Sequence, residues 1–205
     1  MSKWIIVRAG STAWQEENRL QGTIPLPLCA AGQAELERMG LILEGFAPQL
    51  LFSSGNESSG KSADFLAERL DLKPRKIAQL REYDCGLWQG MLIADIESRF
   101  ASAYRSWRQD PTSVSPCQGE SLEQVSERVQ EALVTIRKKT RSKTAVIVAA
   151  HLASAVIDCV LSESPLSQMW SFADEPCSMK LYQFETEAAL KPASVEPLLV
   201  GTPAA

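Results

Sequence analysis

The stretch Trp4-Ile5-Ile6-Val7-Arg8-Ala9-Gly10-Ser11-Thr12, near the N-terminus, decides the fold. Its run of apolar residues predicts a short buried β-strand, and the Arg-Ala-Gly-Ser sequence that follows predicts a turn at the carboxyl end of that strand. A second run, residues 144–149, is apolar at consecutive positions. A strand that is apolar on both faces is typical of the centre of a parallel sheet covered by helices on each side.

Predicted helices and strands alternate along the rest of the chain. Amphipathic periodicity predicts helices over residues 30–45, 61–70, 91–108, 121–139 and 152–162. Short apolar runs predict further strands over residues 50–53 and 179–185. This alternation is typical of an α/β fold, here a three-layer α/β/α domain with a mainly parallel sheet. We expect a single domain over residues 1–205, in which residues 188–205 form a C-terminal tail or an edge strand at 198–200.

Composition narrows the classes of function. The chain has 205 residues, of which 45% are hydrophobic and 22% charged, with a formal net charge of −4. Because no strongly basic segment is present, nucleic acid is not an expected partner. No apolar run reaches the roughly 18 residues of a membrane span, so no membrane partner is expected. The five cysteines form no C-x-x-C pair, which favours reduced thiols in a cytoplasmic protein and predicts neither a metal site nor a cofactor. The oligomeric state stays open.

Six short motifs occur in a fixed order along the chain. They are Arg8-Ala9-Gly10-Ser11-Thr12, Arg19-Leu20-Gln21-Gly22, Ser53-Ser54, Glu82 with Gly86-Leu87-Trp88-Gln89-Gly90, Gly119-Glu120-Ser121 and His151. Taken together and in this order, they resemble the motifs of the histidine phosphatase (phosphoglycerate mutase-like) superfamily. The resemblance covers residues 3–185 and implies the phosphoglycerate mutase-like arrangement of the α/β/α fold.

The resemblance also implies roles for individual residues. Arg8, Gln21 and His151 are predicted to line a phosphate-binding pocket, and Glu82 matches the family's usual proton donor. The family's nucleophile is a histidine in an Arg-His-Gly motif, and Ala9 stands at that position in this chain. Ser58 stands where the family's second phosphate-binding arginine is expected.

The residue at position 9 determines the functional prediction. A methyl group cannot attack phosphorus, so the family's covalent chemistry is not available from Ala9. We therefore predict a catalytically impaired member, a pseudoenzyme, that binds a phosphate- or carboxylate-bearing small molecule. One alternative is an active phosphomonoester hydrolase or phosphoglycerate mutase-like enzyme in which His151 acts as the nucleophile or as the base for water. Another alternative is a scaffold protein that binds no small ligand.

A further alternative comes from Gly55-Asn56-Glu57-Ser58-Ser59-Gly60-Lys61-Ser62, which satisfies the Gly-x-x-x-x-Gly-Lys-Ser pattern of phosphate-binding loops. The segment follows a predicted strand and precedes a predicted helix, which is the required context. This alternative predicts a Mg-nucleotide site in which Lys61 pairs with phosphates and Ser62 binds Mg²⁺. In a weaker form of this alternative, a phosphate near the pocket is bound by Ser58, Lys61 and the loop amides. No convincing Walker B strand accompanies the loop.

Overall fold

A six-stranded sheet forms the middle layer of the protein. The computed structural model describes residues 1–55, 58–174, 179–185 and 190–198. The strands are β1 (Ser2–Arg8), β2 (Leu50–Ser53), β3 (Pro74–Lys76), β4 (Thr144–Ala149), β5 (Met179–Phe184) and β6 (Ser194–Pro197). Their order across the sheet is β3-β2-β4-β1-β5-β6. The four strands from β3 to β1 pair in parallel, whereas β5 and β6 add an antiparallel edge.

Helices cover both faces of the sheet. They are α1 (Ala13–Glu16), α2 (Ala30–Glu44), α3 (Ser58–Leu70), α4 (Ile93–Arg99), α5 (Ala101–Gln109), α6 (Leu122–Lys139), α7 (His151–Leu161) and α8 (Met169–Ala173). Side chains of β1 alternate between two apolar cores, as the period of a strand requires. Ile5 and Val7 pack with α2 and α3, whereas Trp4 and Ile6 pack with α6, α7 and α8. The predicted three-layer α/β/α fold with a mainly parallel sheet is confirmed.

The structure differs from the sequence-based prediction at a few element boundaries. The helix expected over 91–108 is two helices, because Phe100 leaves helical geometry at φ −122° and ψ 37°. The helix expected to begin at residue 61 begins at Ser58. In the described part of the C-terminal segment, the edge strand is β6, which ends before Leu198; residues 199 and 200 of the expected strand lie outside the described residues. The periodicity missed α1, α8 and β3, which are four, five and three residues long. Such short elements show too few turns of their pattern.

Within the described ranges, no helix is both long and apolar enough to cross a membrane.

A buried arginine on α6 joins the segment 79–82 to the rest of the fold. Arg128 is 8% exposed and donates to the carbonyl oxygens of Gln79 (2.9 Å), Arg81 (2.7 Å) and Glu82 (3.0 Å). Its Nε and Nη2 also donate to the two carboxylate oxygens of Glu120, at 2.9 and 2.8 Å. These contacts use all five N–H donors of the guanidinium. Arg128 therefore fixes the backbone that carries Glu82.

We expect Arg128→Leu to lower the free energy of unfolding by about 3–5 kcal/mol, measured by urea denaturation at neutral pH. The loss follows because Glu120 and three carbonyl oxygens lose their shared donor inside the protein. The matched control is Lys191→Ala, which removes an exposed ion pair with Glu163 and should cost less than about 1 kcal/mol. Equal losses in the two variants would show that the Arg128 network contributes no more than a surface pair.

Candidate functional site

The site lies where the two central parallel strands end. Arg8 on β1 is in register with Ala149 on β4, and the Ala9 N–H donates to the Ala149 carbonyl at 2.8 Å. Helix α7 begins at His151, two residues beyond that pairing. The strand ends therefore bring Arg8, Ala9 and His151 to one edge of the sheet, as the parallel arrangement requires.

Glu82 binds the N-terminus of α7. Its side chain is 5% exposed, and its carboxylate accepts the backbone N–H groups of Leu152 (2.9 Å) and Ala153 (2.7 Å). The same carboxylate accepts the N–H of Tyr83 at 2.8 Å. The first N–H groups of a helix and its dipole both stabilise a negative charge placed there. Glu82 thus satisfies donors of α7 that the protein would otherwise have to leave to a bound anion.

His151 is the chain's single histidine, and its pKa is lowered from an ordinary 6.5 to about 4. Burial is the main cause, because a desolvated imidazole resists taking a proton. The Arg8 guanidinium lowers the pKa further, whereas Asp174 and a hydrogen bond with the Ala173 backbone raise it. The imidazole is therefore neutral at pH 7 and contributes a hydrogen-bonding group to the site, with no positive charge.

Arg8 and Gln21 are held in place by hydrogen bonds within the protein. Arg8 Nη2 donates to the Phe172 carbonyl at 3.3 Å. Gln21 Oε1 accepts from the Thr12 hydroxyl at 2.7 Å, and its Nε2 donates to the Ile24 carbonyl at 3.0 Å. Both side chains are half-buried. Their fixed orientations mean that a ligand meets preorganised groups.

A cavity of about 430 Å³ opens at this edge of the sheet. Of the predicted site residues, Gln21, Ser58, Glu82 and His151 line it. Arg8 and Ala9 lie beside that lining and do not form part of it, although Arg8 is near enough to lower the pKa of His151. Lys61 is exposed on α3 and does not reach the cavity lining.

Most of the described residues of the segment that matches the phosphate-binding loop pattern are helical. Helix α3 already includes Ser58, Ser59 and Gly60, and the Ser62 hydroxyl accepts the N–H of Gly10 at 3.0 Å. Ser62 is completely buried, so it is not placed to bind Mg²⁺. Asn56 and Glu57 of the predicted loop lie outside the described residues. Nucleotide binding through this segment finds no support in its described part.

Close packing explains the two glycines of that pattern. Gly55 has φ +87°, a conformation that favours glycine. A Cβ added at Gly60 would lie 2.6 Å from the Gly55 backbone carbon, so the start of α3 and the turn after β2 touch backbone to backbone. The spacing therefore serves the strand-to-helix turn.

Other residues that line the cavity were not predicted as site residues. Arg108 donates to Asp174 at 2.8 Å, and its guanidinium lies 4.1 Å from the ring centroid of Trp170. Arg19 and Tyr104 also line the cavity. Arg19 belongs to the Arg19-Leu20-Gln21-Gly22 motif, which is a sequence signal for its place in the site. Arg108 and Trp170 are 62 positions apart, and no local pattern indicates that they meet.

The fold and this strand-end cavity define the class of histidine phosphatase-like α/β/α proteins. The chain belongs to the histidine phosphatase superfamily (branch 1), whose pattern it matches over residues 4–191.

Several similar proteins are phosphatases by name. The chain is 28% identical to phosphoserine phosphatase 1 of Hydrogenobacter thermophilus, covering 90% of this chain and 88% of that protein. It is 24% identical to the adenosylcobalamin/alpha-ribazole phosphatase of Escherichia coli, covering 86% and 87%. Among solved structures, a mycobacterial glucosyl-3-phosphoglycerate phosphatase complex with VO3 superposes with a TM-score of 0.80 at 24% identity, covering 89% of this chain and 93% of that one. This structural likeness concerns the fold alone.

The protonation of His151 can be measured directly, because it is the single histidine. In untagged protein we expect its NMR signals to stay those of neutral imidazole from pH 8 to 5 and to titrate with a pKa of about 4. Arg8→Met should raise this pKa and Asp174→Asn should lower it, since each removes one of the charges that act on the ring.

The lowered pKa of His151 also makes the stability of the protein depend on pH. Between pH 6.5 and about 4 the unfolded chain binds a proton at His151 that the folded protein does not. This group therefore makes the protein less stable as the pH falls through that range, and has no effect above it. A titration near the ordinary pKa of a solvated histidine would contradict the half-buried, neutral state.

Proposed function

We propose that this protein is a catalytically impaired histidine phosphatase that binds a phosphate- or carboxylate-bearing small molecule at the β1–β4 strand ends. The observation that carries the proposal is Ala9, which the motif resemblance puts at the position of the family's nucleophile. A methyl group has no lone pair to give to phosphorus, so no phosphorylated intermediate can form at this position.

The groups around the cavity support binding of an anion. Arg8, Arg19 and Arg108 place three guanidinium groups in or beside the site, and guanidinium binds phosphate or carboxylate through paired N–H donors. Neutral His151 adds a hydrogen-bonding group. Glu82 is already bound to the N-terminus of α7, so its negative charge is partly compensated within the protein.

Ser58 supports the impairment. It lines the cavity and is 5% exposed, at the position where the resemblance expects a second phosphate-binding arginine. A hydroxyl can donate one hydrogen bond but brings no positive charge to a developing phosphoryl transition state. The family's reaction would therefore lack both its nucleophile and one of its cations.

One observation favours a second candidate function, in which His151 performs the reaction. A pKa of about 4 keeps its imidazole neutral at pH 7, and a neutral imidazole has a basic nitrogen. In this candidate His151 attacks phosphorus or accepts a proton from water, and Glu82 protonates the leaving oxygen. The Glu82 carboxylate accepts three backbone N–H groups in the structure, so this route requires Glu82 to take up a proton before it can act as the acid.

We expect the purified protein to bind inorganic phosphate in isothermal titration calorimetry and to hydrolyse 4-nitrophenyl phosphate no faster than buffer does. Arg8→Ala should weaken phosphate binding about tenfold or more, because it removes a cation beside the cavity. The control Arg75→Ala changes an exposed arginine on β3 and should leave binding unchanged. Turnover by the wild type that disappears in His151→Ala would overturn the proposal in favour of the second candidate.

A second test restores the nucleophilic histidine and the second arginine and measures whether phosphatase activity returns. We expect Ala9→His alone to hydrolyse 4-nitrophenyl phosphate weakly, and Ala9→His combined with Ser58→Arg to exceed either single variant by about 100-fold, because nucleophile and cation are both restored.

The control for this series is Ala9→Asn with Ser58→Arg, which adds a polar side chain without a nucleophile and should stay at the buffer rate. Robust turnover by Ala9→His without Ser58→Arg would show that serine at position 58 does not impair catalysis.

A further inference from the structure

The geometry of the cavity wall points to a specific class of ligand. We propose that the bound anion carries an aromatic ring, and that Tyr104 and Trp170 select it. The inference rests on the proposed function and names the organic part of that site's ligand.

One part of the cavity lining is aromatic. Tyr104 and Trp107 come from α5 and Trp170 comes from α8, and all three line the cavity. The Trp107 and Trp170 rings are 4.7 Å apart at 85°, and the Tyr104 and Trp107 rings are 6.2 Å apart. Edge-to-face and tilted pairs of this kind are favourable because the positive edge of one ring meets the negative face of another. A third ring in the cavity would extend the same arrangement.

This aromatic wall is fixed before a ligand arrives. Trp170 Nε1 donates to the Trp107 carbonyl at 2.8 Å, which joins α8 to α5. Behind Trp107 lies Trp88, 5.3 Å away at 71°. The Arg108 guanidinium lies 4.1 Å from the Trp170 centroid and is bound to Asp174. A preorganised wall loses little side-chain entropy when a ring is added to it.

A second part of the lining is aliphatic. Leu20 and Ile93 line the cavity from two segments that are joined by backbone hydrogen bonds, with Leu20 N–H to Met91 at 3.0 Å and Ile93 N–H to Asn18 at 2.9 Å. These side chains present an apolar surface to an aromatic ring, and they carry no competing hydrogen-bond donors or acceptors. Burying that surface is favourable in proportion to the area removed from water.

The size of the cavity suits a ligand that has an organic part. A volume of about 430 Å³ falls in the roughly 300–1,000 Å³ range of pockets that bury organic ligands. An inorganic anion alone would leave the aromatic side chains of the lining in contact with water. An aromatic group attached to the anion would instead cover Tyr104 and Trp170 while its charge stays near the arginines.

The test compares phenylphosphonate with methylphosphonate by isothermal titration calorimetry. These phosphonates carry the same anionic group on a carbon–phosphorus bond that a phosphatase does not hydrolyse, so they differ in the ring. We expect phenylphosphonate to bind wild-type protein about tenfold more tightly. Tyr104→Leu should remove most of this preference while methylphosphonate binding stays unchanged, and Tyr104→Phe should retain the preference.

Phe100→Leu is the matched control. Phe100 lies four residues before Tyr104, is 41% exposed and does not line the cavity, so its loss should leave both affinities unchanged. Equal affinity for the two phosphonates in wild-type protein would overturn the aromatic inference and leave the proposed anion site standing. Failure of methylphosphonate, phenylphosphonate and inorganic phosphate to bind would overturn both. A preference that survives Tyr104→Leu and Trp170→Leu would overturn the role of this wall.

Discussion

The buried guanidinium of Arg128 is the interaction on which the site depends. Three backbone carbonyls of the 79–82 segment and the Glu120 carboxylate converge on it. Glu120 also accepts hydrogen bonds from the Arg81 guanidinium and from the Asp84 N–H. This anchoring places Glu82 at the start of α7. A five-donor planar cation can satisfy that many acceptors in one small volume, which the three-donor ammonium of lysine cannot.

The charge balance of the site follows from that anchoring. The helix dipole of α7 points its positive end at the cavity, yet Glu82 already meets that end, and burial keeps His151 neutral. For the proposed anionic ligand, the cations in or beside the cavity are Arg8, Arg19 and Arg108, of which Arg19 is paired with Glu17 and Arg108 with Asp174. Arginine suits such positions because it stays protonated in partly buried sites, where lysine or histidine would lose charge. The aromatic wall beside Arg108 is the surface that we propose for the organic part of the ligand.

The glycine pattern of residues 55–62 shows how one spacing can arise from two physical causes. In a phosphate-binding loop glycines let the backbone wrap a phosphate, whereas here Gly60 lets α3 touch the Gly55 turn. Both causes require the absence of a side chain, so the sequence pattern does not separate them. The start of α3 at Ser58 and the Gly10–Ser62 hydrogen bond distinguish the two in the described part of the segment.

The sequence by itself determined the α/β/α class, the strand at the N-terminus and the absence of a nucleophilic side chain at position 9, because periodicity and residue chemistry are local properties. It also named Gln21, Ser58, Glu82 and His151, which line the cavity. Tertiary structure alone decided that Glu82 binds α7, that Lys61 faces solvent, and that Arg108 meets Trp170. The contact of Glu82 with α7 and that of Arg108 with Trp170 join residues about 60–70 positions apart. They depend on how the helices pack over the sheet, which no local pattern encodes.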